Sequence, residues 1–114
     1  MTADTDAPWL VITTVGTAEQ ARTLARAMVE RRLAACAQIT AIDSIYRWQG
    51  RVEHEPEFRL LFKTRAALYA ALEGALRAAH PYELPAIHAL PTARAYGPYA
   101  EWVAECTRPE SDAD

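Results

Sequence analysis

Cysteine, glycine and long apolar runs are all scarce in this chain of 114 residues. The two cysteines, Cys36 and Cys106, lie 70 positions apart and form no Cys-x-x-Cys motif. In a reducing compartment such a pair is typical of two buried thiols rather than of a disulfide or a zinc knuckle. No apolar run approaches the roughly 20 residues that a membrane-spanning helix needs, so the sequence predicts no transmembrane helix.

Basic residues are missing where a secretory signal would need them. Residues 1–8 contain Asp4 and Asp6 but no lysine, no arginine and no apolar stretch, whereas a signal peptide begins with positive charge followed by an apolar region. The sequence therefore predicts a cytoplasmic protein. The net charge of -3 also lacks the basic excess that supplies most affinity for nucleic acids and anionic membranes, so neither is expected as a partner.

The motifs of common enzymes are absent as well. The four glycines form no phosphate-binding loop, and the sequence contains neither a metalloprotease motif nor the spacing of a catalytic triad. The three histidines, His54, His80 and His88, do not share the spacing of metal ligands. We therefore expect no catalytic residues and no enzymatic activity.

The chain does have the composition of one folded domain. Hydrophobic residues make up 51% and charged residues 24% of the sequence, a balance typical of globular proteins. The length leaves room for a single hydrophobic core. We predict a disordered N-terminal segment over residues 1–7, a single domain over residues 8–108 and a polar tail over residues 109–114.

Hydrophobic periodicity predicts a strand and a helix in the N-terminal part. The apolar and β-branched run Trp9–Val15 is typical of a strand covered on both faces. Thr17 followed by Gln20 forms a capping-box pattern, and helical spacing of apolar residues continues from there. We expect this helix to run to about Leu33.

Two segments with alternating polarity follow, joined by Gln49-Gly50. A two-residue hairpin turn at this dipeptide would pair residues whose numbers sum to 99, which places Asp43 opposite Pro56. Proline lacks the N–H of the ladder and aspartate is a poor strand residue. The hairpin is therefore expected to bend or bulge at this level.

The C-terminal part contains one more helix, one more strand and a final helix. Helical spacing covers Leu68–Ala79 and ends before Pro81, the apolar run Ala86–Leu90 predicts a fourth strand, and Pro98 opens the last helix. The order βαββαβ with right-handed crossovers predicts an α+β protein. The predicted fold is a ferredoxin-like βαββαβ sandwich with a long bent hairpin between the second and third strands and an extra C-terminal helix.

The predicted hairpin is longer than the domain that carries it. Each arm has about 14 residues and spans ~45 Å, whereas a globule of this length is roughly 35 Å across. Tyr46 and Trp48 lie near its tip. Because exposed apolar surface and unpaired strand edges favour association, the sequence predicts an oligomer.

Four sequence tracts occur in an order and spacing that resemble one family; they are Leu33-Ala34-Ala35-Cys36, then Ser44, Tyr46, Trp48 and Gly50, then Glu57 with Lys63-Thr64, then His80-Pro81-Tyr82-Glu83 with Pro85. Over about residues 9–105 the chain resembles the CutA family of divalent-cation (copper) tolerance proteins. The resemblance implies a cytoplasmic homotrimer whose long hairpins extend between subunits, a fold related to the PII signalling proteins, and a role in the response to metal ions.

The resemblance also implies a non-enzymatic binding or signalling protein with ligand sites in clefts between subunits. The residues expected in these clefts are Tyr46, Trp48, Glu57, Lys63, Tyr82, Glu83 and Trp102. Lys63 would supply the cation that an anionic small molecule needs. The aromatic residues are expected to anchor subunit interfaces, and no cofactor is required.

One residue, His80, is the candidate metal ligand. Copper-associated members of the family carry a cysteine in the first strand and two adjacent histidines before the Pro-Tyr, where this chain has Thr13, Ala79 and His80. Because copper affinity comes from several converging donors, we expect only weak binding of a divalent ion at His80. A cationic ring at the helix end is the structural alternative. The alternative function is a small-molecule enzyme with His80 and Glu83 as acid and base.

Overall fold

A computed structural model describes residues 6–109 of the chain. Its elements are, in order, β1 (Pro8–Val15), α1 (Ala18–Glu30), β2 (Cys36–Trp48), β3 (Arg51–Arg65), a 3-10 turn (Ala66–Leu68), α2 (Tyr69–Ala79), β4 (Ile87–Pro91) and α3 (Gly97–Cys106). Most of the predicted disordered segment and of the predicted polar tail lies in residues 1–5 and 110–114, outside the described residues.

The strands form one antiparallel sheet in the order β2-β3-β1-β4, which confirms the ferredoxin-like arrangement. Helices α1 and α2 cover one face of this sheet, and the largest side chains excluded from water between them are Val11, Met28, Leu60, Phe62, Leu72 and Leu76. Lys63 points to the other face, because neighbouring strand residues alternate. There its Nζ lies 5.6 Å from the centroid of the Tyr99 ring on α3.

Helix α1 begins as predicted and ends three residues before Leu33. At its start, the Thr17 hydroxyl accepts a hydrogen bond from the Gln20 N–H at 3.0 Å. At its end, Arg32 adopts a left-handed φ of 61°, and the Leu33 N–H donates to the Met28 carbonyl at 3.0 Å. This is a Schellman motif. Leu33 packs against the core after the chain has turned, which is why its position fits the helical spacing.

The pairing of β2 with β3 is the one that the sequence predicts. Paired residue numbers sum to 99 throughout, ending with Trp48 opposite Arg51. Gln49 and Gly50 have φ of 50° and 78°, and two successive left-handed residues are the signature of a type I′ turn. The turn dipeptide therefore fixes the register of the whole hairpin.

The hairpin passes Asp43 and Pro56 without a bulge, since these two residues pair with each other and the register is the same on both sides. Trp48 and Arg51 flank a two-residue turn and so form a hydrogen-bonded pair, and such pairs alternate with non-hydrogen-bonded pairs along the hairpin. Asp43 and Pro56 fall on a non-hydrogen-bonded level. The proline ring nitrogen therefore faces away from β2, and β1 joins β3 only from Phe58 onward.

The outer part of the hairpin extends beyond the rest of the sheet, because residues 51–57 of β3 pair with β2 alone. The molecule accordingly measures 51 × 32 × 21 Å. On this extension the side chains of Ile45 and Val52 are 71% and 64% exposed. Among residues 6–109, no helix combines the length and the apolar character needed to cross a membrane.

The two cysteines are free thiols, and each is only partly buried. Cys36 opens the edge strand β2 and Cys106 ends α3. The prediction of two buried thiols is therefore wrong for this chain, because both residues lie at the ends of elements, where neighbouring side chains cover less of them.

Candidate ligand-binding cleft

A cavity of about 710 Å³ lies between the outer hairpin and the segment that follows α2. Its volume falls within the range of small-molecule sites, roughly 300–1,000 Å³. We call it the hairpin cleft, and its lining residues are Thr14, Asp43, Ser44, Ile45, Tyr46, Trp48, Glu55, Glu57, Tyr82, Glu83, Leu84 and Ala86.

Two parts of the chain position these side chains. Strand alternation places Glu55 and Glu57 on the same face of β3, where they line one wall of the cleft. The facing wall carries Tyr82, and Pro81 and Pro85 flank this segment. Because each proline ring fixes its own φ near -65°, the segment has few backbone conformations and holds Tyr82 against the strand.

The contact between the two walls is a short hydrogen bond. The Tyr82 hydroxyl donates to Glu57 Oε2 at 2.6 Å. Glu57 is only 9% exposed. Burial raises the pKa of Tyr82, and the hydrogen bond to Glu57 raises it further. The phenol therefore stays protonated and remains a donor to the carboxylate.

Aromatic side chains from β2 form the outer wall. The Tyr46 hydroxyl donates to Glu55 Oε1 at 3.3 Å. Trp48 lies next to the turn and is 38% exposed in the single chain. The cleft thus combines carboxylates with aromatic surfaces, an environment that suits a ligand with both polar and apolar parts.

His80 lies behind the cleft, with both ring nitrogens hydrogen-bonded. Nε2 is 2.9 Å from the carbonyl oxygen of Thr14 and 3.2 Å from the Thr13 hydroxyl, while Nδ1 accepts the N–H of Tyr82 at 3.1 Å. Burial lowers the pKa of His80, although the Thr14 carbonyl and Glu57 act in the opposite direction. These partners fit a neutral ring with the proton on Nε2. The interpretation of His80 as a cationic helix cap is wrong, because its ring contacts β1 instead of the carbonyls that end α2.

The residues around His80 do not fit a resident metal ion. Coordination by Nδ1 would displace the N–H of Tyr82, and Nε2 carries the proton that bonds to Thr14. Within residues 6–109, no three or more His, Cys, Asp or Glu side chains come together in a way that could hold a metal ion. Thr13 and Ala79, near His80 in space and in sequence, offer neither a thiol nor an imidazole.

The structure brings together five of the seven residues predicted for the ligand cleft; these are Tyr46, Trp48, Glu57, Tyr82 and Glu83. Lys63 and Trp102 lie elsewhere. The Lys63 ammonium sits over the Tyr99 ring, and that ring stacks on Trp102 with 6.0 Å between centroids. In one chain, the predicted set therefore forms two separate clusters.

Sequence reasoning missed seven of the twelve lining residues as members of the cleft, among them Asp43, Glu55 and Leu84. The alternation of β3 could have found Glu55, since it shares a face with Glu57 in the predicted register. Leu84 could have been found from its place between the two prolines. Asp43 carried no such signal, because only the fold brings it to the rim of the cleft.

The charge of the hairpin cleft has one sign. Its lining includes the carboxylates of Asp43, Glu55, Glu57 and Glu83, and none of the twelve lining residues is a lysine, an arginine or a histidine. Lys63, the cation predicted for an anionic ligand, is not among them. Within a single chain the cleft therefore favours positive charge.

Comparison with known proteins gives a consistent result. Residues 9–106 match the family model described as CutA1 divalent ion tolerance protein. The chain is 46% identical over 99 residues to the divalent-cation tolerance protein CutA of Thermus thermophilus, covering 86% of this chain and 96% of that protein. It is 43% identical over 94 residues to human protein CutA, covering 82% of this chain and 52% of that protein. The solved structure of CutA from Synechococcus elongatus superposes with a TM-score of 0.87 at 39% identity, over 93% of this chain and 95% of that one.

Proposed function

The chain belongs to the CutA1 divalent ion tolerance family, and we propose that it acts as a homotrimeric, non-enzymatic binding or signalling protein of divalent-cation tolerance. Its ligand sites would lie in clefts between subunits, and the residues that line the hairpin cleft would form one side of each site. The fold resemblance to PII signalling proteins is part of the same proposal. We place the protein in the cytoplasm, where its two free thiols suit a reducing compartment.

The hairpin cleft is the observation that carries this proposal. It has the size of a small-molecule site, and its walls come from two segments tied together by the bond between Tyr82 and Glu57. Aromatic rings and a few fixed polar groups are the usual lining of a binding pocket. These features favour ligand binding as the role of the site.

The exposed surface of the hairpin supports assembly. Tyr46 and Trp48 are 39% and 38% exposed, and Ile45 and Val52 are exposed to a greater extent. Apolar residues clustered on a projecting strand pair leave surface that a partner subunit would cover. A trimer in which each hairpin lies along a neighbour would bury this surface.

The geometry of His80 favours binding over catalysis. A general acid or base must exchange a proton with substrate, but both His80 nitrogens are already hydrogen-bonded within the chain. Glu83 is exposed at the rim of the cleft. An acid and base pair made from these two residues would first need His80 to release Tyr82.

We propose that the protein binds divalent metal ions only weakly and that it requires no cofactor. An ion such as copper at His80 would replace the hydrogen bond from the Tyr82 N–H, and a lone imidazole binds such ions poorly without further nitrogen or sulfur donors. A role in metal tolerance would then depend on the ligand of the cleft rather than on storage of the ion.

Isothermal titration of the purified full chain tests the proposal. The probes are copper(II), zinc(II), citrate and spermidine, so that metal ions, an anionic metabolite and an organic cation are all sampled. The double variant Tyr82→Phe/Glu57→Gln alters the cleft, and Arg77→Ala, on the exposed side of α2, is the control. We expect a probe that binds the wild type and the control alike and binds the cleft variant at least tenfold more weakly. Binding unchanged in the cleft variant, or no binding by any probe at millimolar concentration, would contradict the proposal.

A further inference from the structure

One face of β3 carries its charges in two blocks. Alternate residues of a strand share a face, and from Glu53 onward those on this face are Glu53, Glu55, Glu57, Arg59, Leu61, Lys63 and Arg65. The acidic block lies on the projecting part of the hairpin and contributes two residues to the hairpin cleft. The basic block lies over the sheet, near α3. Between Glu53 and Arg65, this strand face is thus negative on the side of the hairpin tip and positive on the side of the sheet; Arg51 lies beyond the acidic block, next to the turn.

Among residues 6–109, the Glu57 carboxyl group has no basic partner. The residue is 9% exposed, and its only hydrogen bond within residues 6–109 comes from the neutral Tyr82 hydroxyl to Oε2. No fully enclosed side-chain oxygen or nitrogen in the described part of the chain lacks a partner, so the second oxygen, Oε1, is reachable from the cavity that Glu57 lines. Because a buried carboxylate is stabilised by a neighbouring cation, Oε1 marks where one would bind.

Lys63 lacks an acidic partner among the described residues, just as Glu57 lacks a basic one. It is the single lysine of the chain, it is partly buried, and its ammonium contacts the Tyr99 ring with no carboxylate within ion-pair distance among residues 6–109. Six residues of strand separate it from Glu57, which amounts to roughly 20 Å. The two charges therefore cannot meet within one chain.

We propose that Lys63 of a neighbouring copy completes the hairpin cleft by pairing with Glu57, so that the acidic block of one β3 docks against the basic block of the next. This inference rests on the homotrimer proposed above. Complementary patches at different places on one chain form head-to-tail contacts, which close into a ring when the rotation permits. The pairing also explains why the residues predicted for one cleft form two separate clusters in a single chain. The cluster around Glu57 and the cluster around Lys63 would meet at one site that two chains share.

The single lysine makes a direct test possible with the unmodified protein. A carbodiimide joins a carboxylate to an amine only where the two are in contact. Chains labelled with ¹⁴N and ¹⁵N are mixed by unfolding and refolding, cross-linked, digested and examined by mass spectrometry. We expect a peptide that joins Lys63 to Glu57 with one light and one heavy partner. Lys63→Arg keeps the charge and removes the amine, so it should lose this cross-link and still assemble.

A double-mutant cycle supplies the energetic test. Removing one partner of a buried charge pair is costly, so Glu57→Gln and Lys63→Met should each weaken association by about thirtyfold or more per interface. The double variant should be no weaker than either single variant. Arg77→Met is the control, because Arg77 is exposed on α2 and lies outside both blocks. A parallel cycle combines Glu57→Gln with Arg59→Met, since Arg59 lies between the two residues on the same strand face.

The outcomes separate the two proposals. A wild-type trimer in which Lys63 cross-links elsewhere, or in which the two substitutions are additive, overturns the pairing and leaves the trimer standing. Coupling of Glu57 to Arg59 instead of Lys63 overturns it as well, in favour of a pair within one chain. A wild-type monomer overturns both the pairing and the proposed assembly.

Discussion

The Tyr82 hydroxyl donates to Glu57 Oε2 at 2.6 Å and so fastens the connection after α2 to the projecting part of β3. Between these two segments lies the hairpin cleft. The same connection holds His80, whose Nδ1 accepts the N–H of Tyr82. The position of the cleft wall therefore depends on two hydrogen bonds that both involve Tyr82.

Removing the Tyr82 hydroxyl should destabilise the protein. A hydrogen bond to a charged acceptor contributes about 1.5–3 kcal/mol, and Tyr82→Phe leaves the buried Glu57 carboxylate without its donor. We expect the free energy of unfolding in urea to fall by about 1.5 kcal/mol or more. Tyr99→Phe is the control, since that hydroxyl has no hydrogen bond in the described part of the chain. Equal losses in the two variants would contradict the structural role of the bond.

The stability of the protein should fall in mild acid because of His80. Burial holds the pKa of His80 below its ordinary value of 6.5, so below about pH 6.5 the unfolded chain binds a proton that the folded chain resists. The free energy of unfolding should therefore decrease as the pH is lowered from about 7 to about 5. His80→Gln should show a smaller decrease. His88→Gln, at an exposed histidine without an ion pair among the described residues, should keep the wild-type dependence of the unfolding free energy on pH. A loss of that dependence in His88→Gln instead of His80→Gln would show that His80 is not the group responsible.

Trp48 should be an anchor of the assembly. It is a large aromatic residue that remains 38% exposed in the single chain, and interface hot spots are often tryptophans whose loss costs about 2 kcal/mol or more. Trp48→Ala should lower the melting temperature of the trimer and raise its dissociation constant. Arg77→Ala, at an exposed and charged residue of α2, should change neither. An unchanged melting temperature for Trp48→Ala would remove Trp48 from the interface.

Copper binding should be weak and should involve His80 rather than the thiols. A competition titration compares the wild type, His80→Ala and the double variant Cys36→Ser/Cys106→Ser. We expect weak affinity in the wild type, lost in His80→Ala and kept in the cysteine variant. Nanomolar affinity in the wild type would show that other donors converge on the ion. Loss of binding only in the cysteine variant would place the ion on the thiols, whose residues are only partly buried.

Local signals were sufficient for the hairpin and for most of the cleft. Gln49-Gly50 predicts the type I′ turn, and the turn fixes every pair of β2 and β3. Helix α1 shows where such signals fail, because Leu33 keeps an apolar contact after Arg32 has turned the chain. Periodicity reports which side chains are buried and does not report where the backbone leaves the helix.

Contacts between distant segments could not be predicted from the sequence. The ring of His80 turns toward Thr13 and Thr14, which are 67 and 66 positions away, and the sequence around His80 indicates only a helix end. The separation of Lys63 from Glu57 into two clusters could not be predicted either, because it too depends on how distant parts of the structure are arranged. Motif spacing indicates that residues serve one site without indicating whether one chain or two supply them.

Sedimentation equilibrium of the full chain at micromolar concentration tests the central claim most directly, because the proposed site is completed by a neighbouring copy. With a chain mass of 12.7 kDa, we expect a single species of three times that mass, stable on dilution through the micromolar range. A species with the mass of one chain would contradict the claim, since the hairpin cleft would then have only the walls that one chain provides.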